Sequence, residues 1–305
     1  MILILKTHKL EKRRFNIDRE SMAKIGIEGI LVGGYTNEEA KSGITVVVVD
    51  KSYNIGGVSQ RGGSPATMGT DLLTPSHRKD QSVNAIVLTG RSVFGFRAIS
   101  GVILSSYNMG RGFKIADISI PIVAAAAIFD FYDNNILPTE EWGFKAMEKL
   151  STEIPVGRYW AGRGAMVAKL SGSKFMKPGG QGYYEIEKGK VKVGVISVLN
   201  SIGNIYDLDG SLLAGNKAKS IENHNVMGTT LGVVLTNAKL SNSEACKLAS
   251  VVENGFSSVI KPYNLSLDGD TVFTIATNEV EVNFDNLLEL AYETARRSVV
   301  SVYKG

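Results

Sequence analysis

Short, strongly apolar runs alternate along the chain with glycine-rich or polar breaks, and run length and residue type decide which element each predicts. Residues 26–32, 44–50 and 83–89 are short, bounded and rich in β-branched side chains, with four consecutive valines in the second. They predict buried strands. Residues 92–108 carry Phe94, Phe96, Ile99, Val102 and Ile103 with little polar face between them, which predicts a buried helix. A buried strand is expected over 118–128, a helix over 139–150, and a strand over 191–200 followed by a turn at 201–204. Residues 208–228 then lose all apolar period and read as a polar loop. The loop stops abruptly at Thr229-Thr-Leu-Gly-Val-Val-Leu-Thr236, a run suited to a strand. Ser241 and Glu244 have the spacing of a capping box, and Ala245, Leu248, Ala249 and Val252 share one face of the helix that follows. A strand over 271–277 and an amphipathic helix over 284–302, on Leu287, Leu288, Ala291 and Ala295, close the chain. Strands come in groups with helices between the groups. That order predicts helices layered on stacked sheets, not a regular parallel β-α-β wind.

Composition narrows the function classes. The 305 residues are 44% hydrophobic and 21% charged, enough to bury a large core. Glycine is abundant (33) and proline scarce (7), so the glycines serve turns and close backbone approaches more than linkers. A single cysteine, Cys246, excludes an internal disulfide and a cysteine-built zinc site. The three histidines, His8, His77 and His224, are too scattered for a metal cage. These features point to a reducing, cytoplasmic compartment and disfavour a metal site built from cysteine or histidine. A net charge of +4 is too small to indicate nucleic acid, and its excess sits within the first 24 residues. Residues 1–25 are therefore expected to form a basic arm ahead of one catalytic domain over 26–305. The longest apolar stretch, 118–129, is broken by Ser119 and Pro121 and is too short to span a membrane.

Candidate chemistry is sparse on spacing alone. Gly90-Arg-Ser-Val-Phe-Gly95 follows a strand and opens a helix, like a nucleophile elbow, but its second glycine falls three residues after Ser92 where the elbow has it two after. Arg61-Gly-Gly63 and Lys177-Pro-Gly-Gly-Gln-Gly182 lack the Gly-Lys-Ser/Thr of a phosphate loop. Asp207-Leu-Asp-Gly210 and Asp268-Gly-Asp270 lack the alternating ligands and closing glutamate of a calcium loop, and by themselves read as turns. One chemistry needs no histidine and no metal or organic cofactor: a threonine hydroxyl activated by its own α-amine, once that threonine becomes a chain terminus. Gly228-Thr229, where the polar loop ends and a buried strand begins, is a place to make such a terminus. Equally, two threonines opening a strand are ordinary β-propensity.

Several stretches in order resemble the DmpA-type family of N-terminal-nucleophile aminopeptidases and amidases, which includes the nylon-oligomer hydrolases. They include Gly29-Ile-Leu-Val-Gly33, Arg61-Gly-Gly-Ser-Pro65, Val83-Asn-Ala-Ile-Val-Leu-Thr-Gly90 and Gly162-Arg-Gly-Ala165 with Lys169. Met176-Lys-Pro-Gly-Gly180, the run ending at Asn200, Gly228-Thr-Thr230 with Thr236-Asn-Ala238, and Asp268-Gly-Asp-Thr-Val-Phe273 complete the match over about residues 26 to 278. The resemblance implies a four-layer α/β/β/α sandwich of the DmpA/ornithine-acetyltransferase-like, Ntn-hydrolase-like type. It implies self-cutting between Gly228 and Thr229 into chains 1–228 and 229–305, hydrolysis of a small peptide or amide, and a homo-oligomer, a tetramer in the family. Carried over residue by residue, Thr229 is the nucleophile, Asn200 an oxyanion donor, Asp268 and Asp270 acids beside the new terminus, and Lys169 a basic residue that hydrogen-bonds the nucleophile or tunes its amine by charge. A plain buried ion pair between Lys169 and one of those aspartates is the structural alternative. An acyltransferase on a similar fold, or an uncut scaffold protein, are the functional ones. The chain departs from the aminopeptidase members at Ala127 and Phe129, where those carry an acid and a tyrosine that grip a free amine. Asp130, Tyr132 or Glu140 are the candidates to replace them. Arg91 stands where the family has glycine.

Overall fold

The valine-rich runs become inner strands of two five-stranded sheets. The computed structural model describes residues 21–51, 53–75, 82–216 and 226–304. In chain order the sheet strands are β1 (Ile30–Asn37), β2 (Ser42–Val49), β3 (Ile55–Gln60), β4 (Thr67–Met68), β5 (Ala85–Thr89) and β6 (Val123–Ala127). β7 (Gly180–Lys188), β8 (Val191–Asn200), β9 (Thr229–Ala238) and β10 (Thr271–Val280) follow. The first sheet runs β1-β2-β5-β6-β4 and the second β7-β8-β9-β10-β3. Neighbours are antiparallel except the parallel pairs β5–β6 and β9–β10. The helices are α1 (Ile99–Asn108), α2 (Glu140–Glu148), α3 (Asn242–Val259) and α4 (Phe284–Lys304).

Side-chain alternation explains the layering. In β2, Val47 and Val49 face the opposite sheet, while Ile44, Val46 and Val48 pack with Ile99, Val102, Trp142 and Met147 of α1 and α2. In β8 and β9, Ile196, Val198, Leu231 and Val233 face the inter-sheet layer, while Val193, Val195 and Val234 pack with Leu248, Val252, Ala291 and Val299 of α3 and α4. Strands buried on both faces read as unbroken apolar runs, because neither face needs polar residues. The result is the expected α/β/β/α sandwich. The capping box forms at the start of α3, with Ser241 and Glu244 each bonded to the other's backbone. Two glycines let α1 and α2 cross closely: a Cβ on Gly101 would lie 2.2 Å from the Glu140 carbonyl oxygen, and one on Gly143 2.0 Å from that of Ala98.

Some elements differ from the sequence reading. The expected strand over 118–128 divides at Pro121, which has no N–H to continue a ladder. Ile118–Ile120 pairs with Phe113–Ile115 in a hairpin that exposes Phe113, Ile115, Ile118 and Ile120, and only β6 is buried. The strand expected over 26–32 begins after Gly29, whose φ of 80° makes a turn. The predicted helix over 92–108 opens with 3-10 turns over Ser92–Ala98 before α1. Within the polar loop, Leu212–Ala214 pairs with Asn204–Tyr206. The loop's residues 217–225, all three histidines and residues 1–20 of the basic arm lie outside the described residues. Ser21–Lys24 pairs with Glu153–Val156. Ser21 and Ala23 share the wall of a cavity of about 410 Å³ with Ser301 and Lys304, so both ends of the described chain lie together. No described helix is long and apolar enough to cross a membrane.

Candidate active site

Sheet register brings distant residues to one end of the second sheet. The β8–β9 pairing sets Asn200, last in its strand, opposite Thr229, first in its own. Beyond the regular β9–β10 ladder, Gly228 forms a parallel bridge with Asp268. Thr229 is 5% exposed, and its Oγ1 donates to the carbonyl oxygen of Gly228. That oxygen also accepts the Gly269 N–H at 2.9 Å, and the Gly228 N–H donates to the Leu267 carbonyl at 3.1 Å. Position 228 demands glycine for close approach: a Cβ there would lie 2.1 Å from Asp268 Oδ1 and 2.6 Å from the Ile202 nitrogen.

The two aspartates are buried and held by backbone donors. Asp268 accepts from the N–H of Leu265 at 3.0 Å and of Ile202 at 3.4 Å. Asp270 accepts from the N–H of Thr230 at 2.5 Å and of Asn264 at 3.0 Å. Burial raises both carboxyls above the usual carboxylate range, and the Asp268 charge adds to the rise at Asp270. Their loop is strapped from outside. The N–H groups of Arg61 and Gly62 donate to the Asp270 carbonyl at 3.2 and 3.3 Å, and that of Ser64 to the Asp268 carbonyl at 2.9 Å. Arg61 is in turn anchored on α3, through Asn254 Oδ1 at 2.7 Å and the fully buried Glu253 at 3.0 Å.

Lys169 is buried in the same place. Its Nζ donates to the carbonyls of Asn200 at 2.5 Å and Met227 at 2.8 Å, so its hydrogen bonds reach backbone oxygens and not a carboxylate. Burial lowers its pKa to about 7, against the opposing pull of Asp268, Asp130 and Asp270. A neutral amine that spends two hydrogens on carbonyls keeps its lone pair for a proton. Asn200 is fixed at both ends: Nδ2 donates to the Phe129 carbonyl at 2.9 Å, and Oδ1 accepts from the Met166 N–H at 3.0 Å and the Tyr132 hydroxyl at 3.4 Å. The Lys169 Nζ lies 5.6 Å from the Tyr132 ring centroid. Phe129 packs against Phe131 and Tyr132, and Phe131 against the exposed Phe94.

The structure thus gathers Thr229, Asn200, Lys169, Asp268 and Asp270 and, of the three candidates to grip a free amine, brings Tyr132 beside Asn200 and Lys169. Asp130 is committed elsewhere: it accepts from Ser42 Oγ at 2.6 Å and the Arg91 N–H at 2.7 Å, with the buried Arg91 guanidinium 3.9 Å away. Glu140 is the exposed first residue of α2. The Gly269 N–H and the anchoring of Arg61 on Glu253 were not anticipated; the Arg61-Gly-Gly-Ser64 stretch marked the strap without revealing what it holds. A buried hydroxyl on a carbonyl oxygen, a polarising N–H and an amine that is half neutral near pH 7 are the parts of an acyl transfer.

Residues 25–303 match Peptidase family S58. An uncharacterized aminopeptidase of Mycobacterium leprae is 31% identical over 291 residues, covering 84% of this chain and 78% of that protein. A 6-aminohexanoate-oligomer endohydrolase of Agromyces sp. (strain KY5R) is 26% identical over 286 residues, 86% of this chain and 76% of the relative. The L-aminopeptidase D-Ala-esterase/amidase from Ochrobactrum anthropi superposes with a TM-score of 0.69 at 16% identity, over 90% of this chain and 84% of that one, and shares the fold. With nearly the whole described chain matched, it belongs to Peptidase family S58, as the DmpA-type resemblance implied, and is a hydrolase of peptide or amide bonds.

Proposed function

We propose that Thr229 cuts the chain before itself and then, as an N-terminal nucleophile, hydrolyses an amide or peptide bond in a small substrate. The observation that carries this reading is the Thr229 Oγ1 hydrogen bond to the Gly228 carbonyl, the bond junction to be cut, in a buried setting. Before cutting, Thr229 has no free amine, and Lys169, with its pKa near 7, is the base for its hydroxyl. After cutting, the α-amine, which titrates near ~7.7–8, takes over that proton traffic. Asn200 donates to the substrate oxyanion, while Asp268 and Asp270 orient the new ammonium. Water then releases the acyl group from Thr229. No metal or organic cofactor enters these steps.

The substrate reading draws on the relatives, whose names cover aminopeptidases and an oligoamide hydrolase. Ala127 offers no anion for a free amine, and Asp130 is already paired with Ser42 and Arg91. Amides without a free amine beside the cut bond are therefore within the proposed range. The homo-oligomer implied by the family belongs to the same proposal. A denaturing gel with terminal sequencing tests the cut: fragments 1–228 and 229–305 are expected, the second starting at Thr229. Thr229→Ala is expected to stay uncut and to show no amide hydrolysis above background. A Thr229→Ala protein that still splits and turns over would refute the assignment.

A further inference from the structure

We infer that the backbone N–H of Gly269 is the oxyanion donor for the chain's cutting of itself, separate from the donor that serves turnover. The inference rests on the reading that Thr229 cuts the bond after Gly228. In that step the Thr229 Oγ1 bonds to the Gly228 carbonyl carbon, and the hydroxyl proton passes by way of a base to the Thr229 nitrogen. The C–N bond breaks, leaving an ester between Gly228 and the threonine side chain and a free amine on Thr229. Water then hydrolyses the ester to a Gly228 carboxylate and the restored hydroxyl. Negative charge builds on the Gly228 carbonyl oxygen during the attack, so whatever donates to that oxygen sets the barrier.

Gly269 donates to it at 2.9 Å. The contact is one rung of a parallel ladder, since Gly228 also donates to the Leu267 carbonyl and the ladder continues as Leu231 opposite Thr271. A donor held as a sheet rung is already oriented before charge appears and needs no rearrangement to meet it. Its loop is fixed on both sides, by the backbone donors to Asp268 and Asp270 and by the Arg61–Ser64 strap. Asn200 makes no hydrogen bond to that oxygen in the uncut chain: one Nδ2 hydrogen goes to the Phe129 carbonyl at 2.9 Å, Oδ1 is held by Met166, and the second Nδ2 hydrogen is left for a substrate. Space at residue 269 tells the same story. A Cβ there would lie 2.8 Å from Thr229 Oγ1 and 2.9 Å from the Ser64 carbonyl oxygen, so only glycine leaves the attacking oxygen free.

The decisive variant is Gly269→glycolic acid in the full chain, which exchanges the donor N–H for an ester oxygen and adds no bulk. Cutting, followed on denaturing gels, is expected to slow ~10²–10³-fold, the usual effect of losing one oxyanion donor. Cutting at the wild-type rate would overturn the inference and leave Thr229 as the nucleophile; cutting in Thr229→Ala would remove both. An infrared measurement keeps the test independent of any disturbance of the loop. With an isotope-labelled Gly228 carbonyl in uncut Thr229→Ala protein, the same ester exchange is expected to raise the carbonyl stretching frequency. An unmoved band would mean that no hydrogen bond from residue 269 reaches that oxygen, and would also overturn the inference.

Discussion

Lys169 carries the sharpest consequence of burial. Its depressed pKa leaves it neutral in the folded chain above about pH 7, whereas the unfolded chain keeps the proton up to the ordinary lysine range near ~10.4. The unfolded state therefore binds more protons between those values, and this group makes the fold more stable as pH rises through that window. The same titration should appear in self-cutting, whose rate is expected to rise between pH 6 and 8 with a midpoint near 7. Lys169→Met is expected to slow cutting ~10²-fold or more and to abolish that midpoint, measured by gel across a pH series. An unchanged profile would give the proton to another group. Little of this site was legible from spacing, because Lys169, Asn200, Thr229 and Asp268 are separated by tens of residues and joined only by sheet register. The family resemblance supplied the set. Neither source could name the Gly269 N–H, since a backbone donor has no letter of its own, or foresee that Asp130 is consumed by Arg91.

Elements were read best where both faces are buried. β8 matched its predicted bounds, and the capping box placed α3, because in each case local pattern and tertiary demand agree. The reading failed over 118–128, where an exposed hairpin and a buried strand carry equally apolar residues and only the packing partner differs. The α1–α2 crossing was likewise hidden, since nothing local marks Gly101 and Gly143 as contact points. It yields a direct expectation. Gly101→Ala would press a methyl into the Glu140 carbonyl, forcing the helices apart, and is expected to cost ~1–3 kcal/mol in a denaturant titration with little change in fold. Stability within a few tenths of a kcal/mol of wild type would mean that α2 yields freely.

Across the whole molecule, the segment after residue 228 is not an appendage. It supplies β9, which lies against β8, and β10, whose outer neighbour β3 comes from the first sixty residues. α3 and α4 cover that same sheet. A backbone break ahead of Thr229 would therefore leave both pieces woven into one sheet, each supplying strands to the other. The shared cavity wall formed by Ser21, Ala23, Ser301 and Lys304 gives this arrangement a practical corollary. With residues 21 and 304 lining one cavity, the described part of the chain is suited to circular permutation: residue 304 joined to residue 21 by a short flexible linker, and synthesis started at Thr229. Such a protein, freed of its initiator methionine, is expected to be born with the amine already in place and to hydrolyse amides at once, even with Lys169→Met. Assayed directly after purification, it would separate the making of the nucleophile from its use.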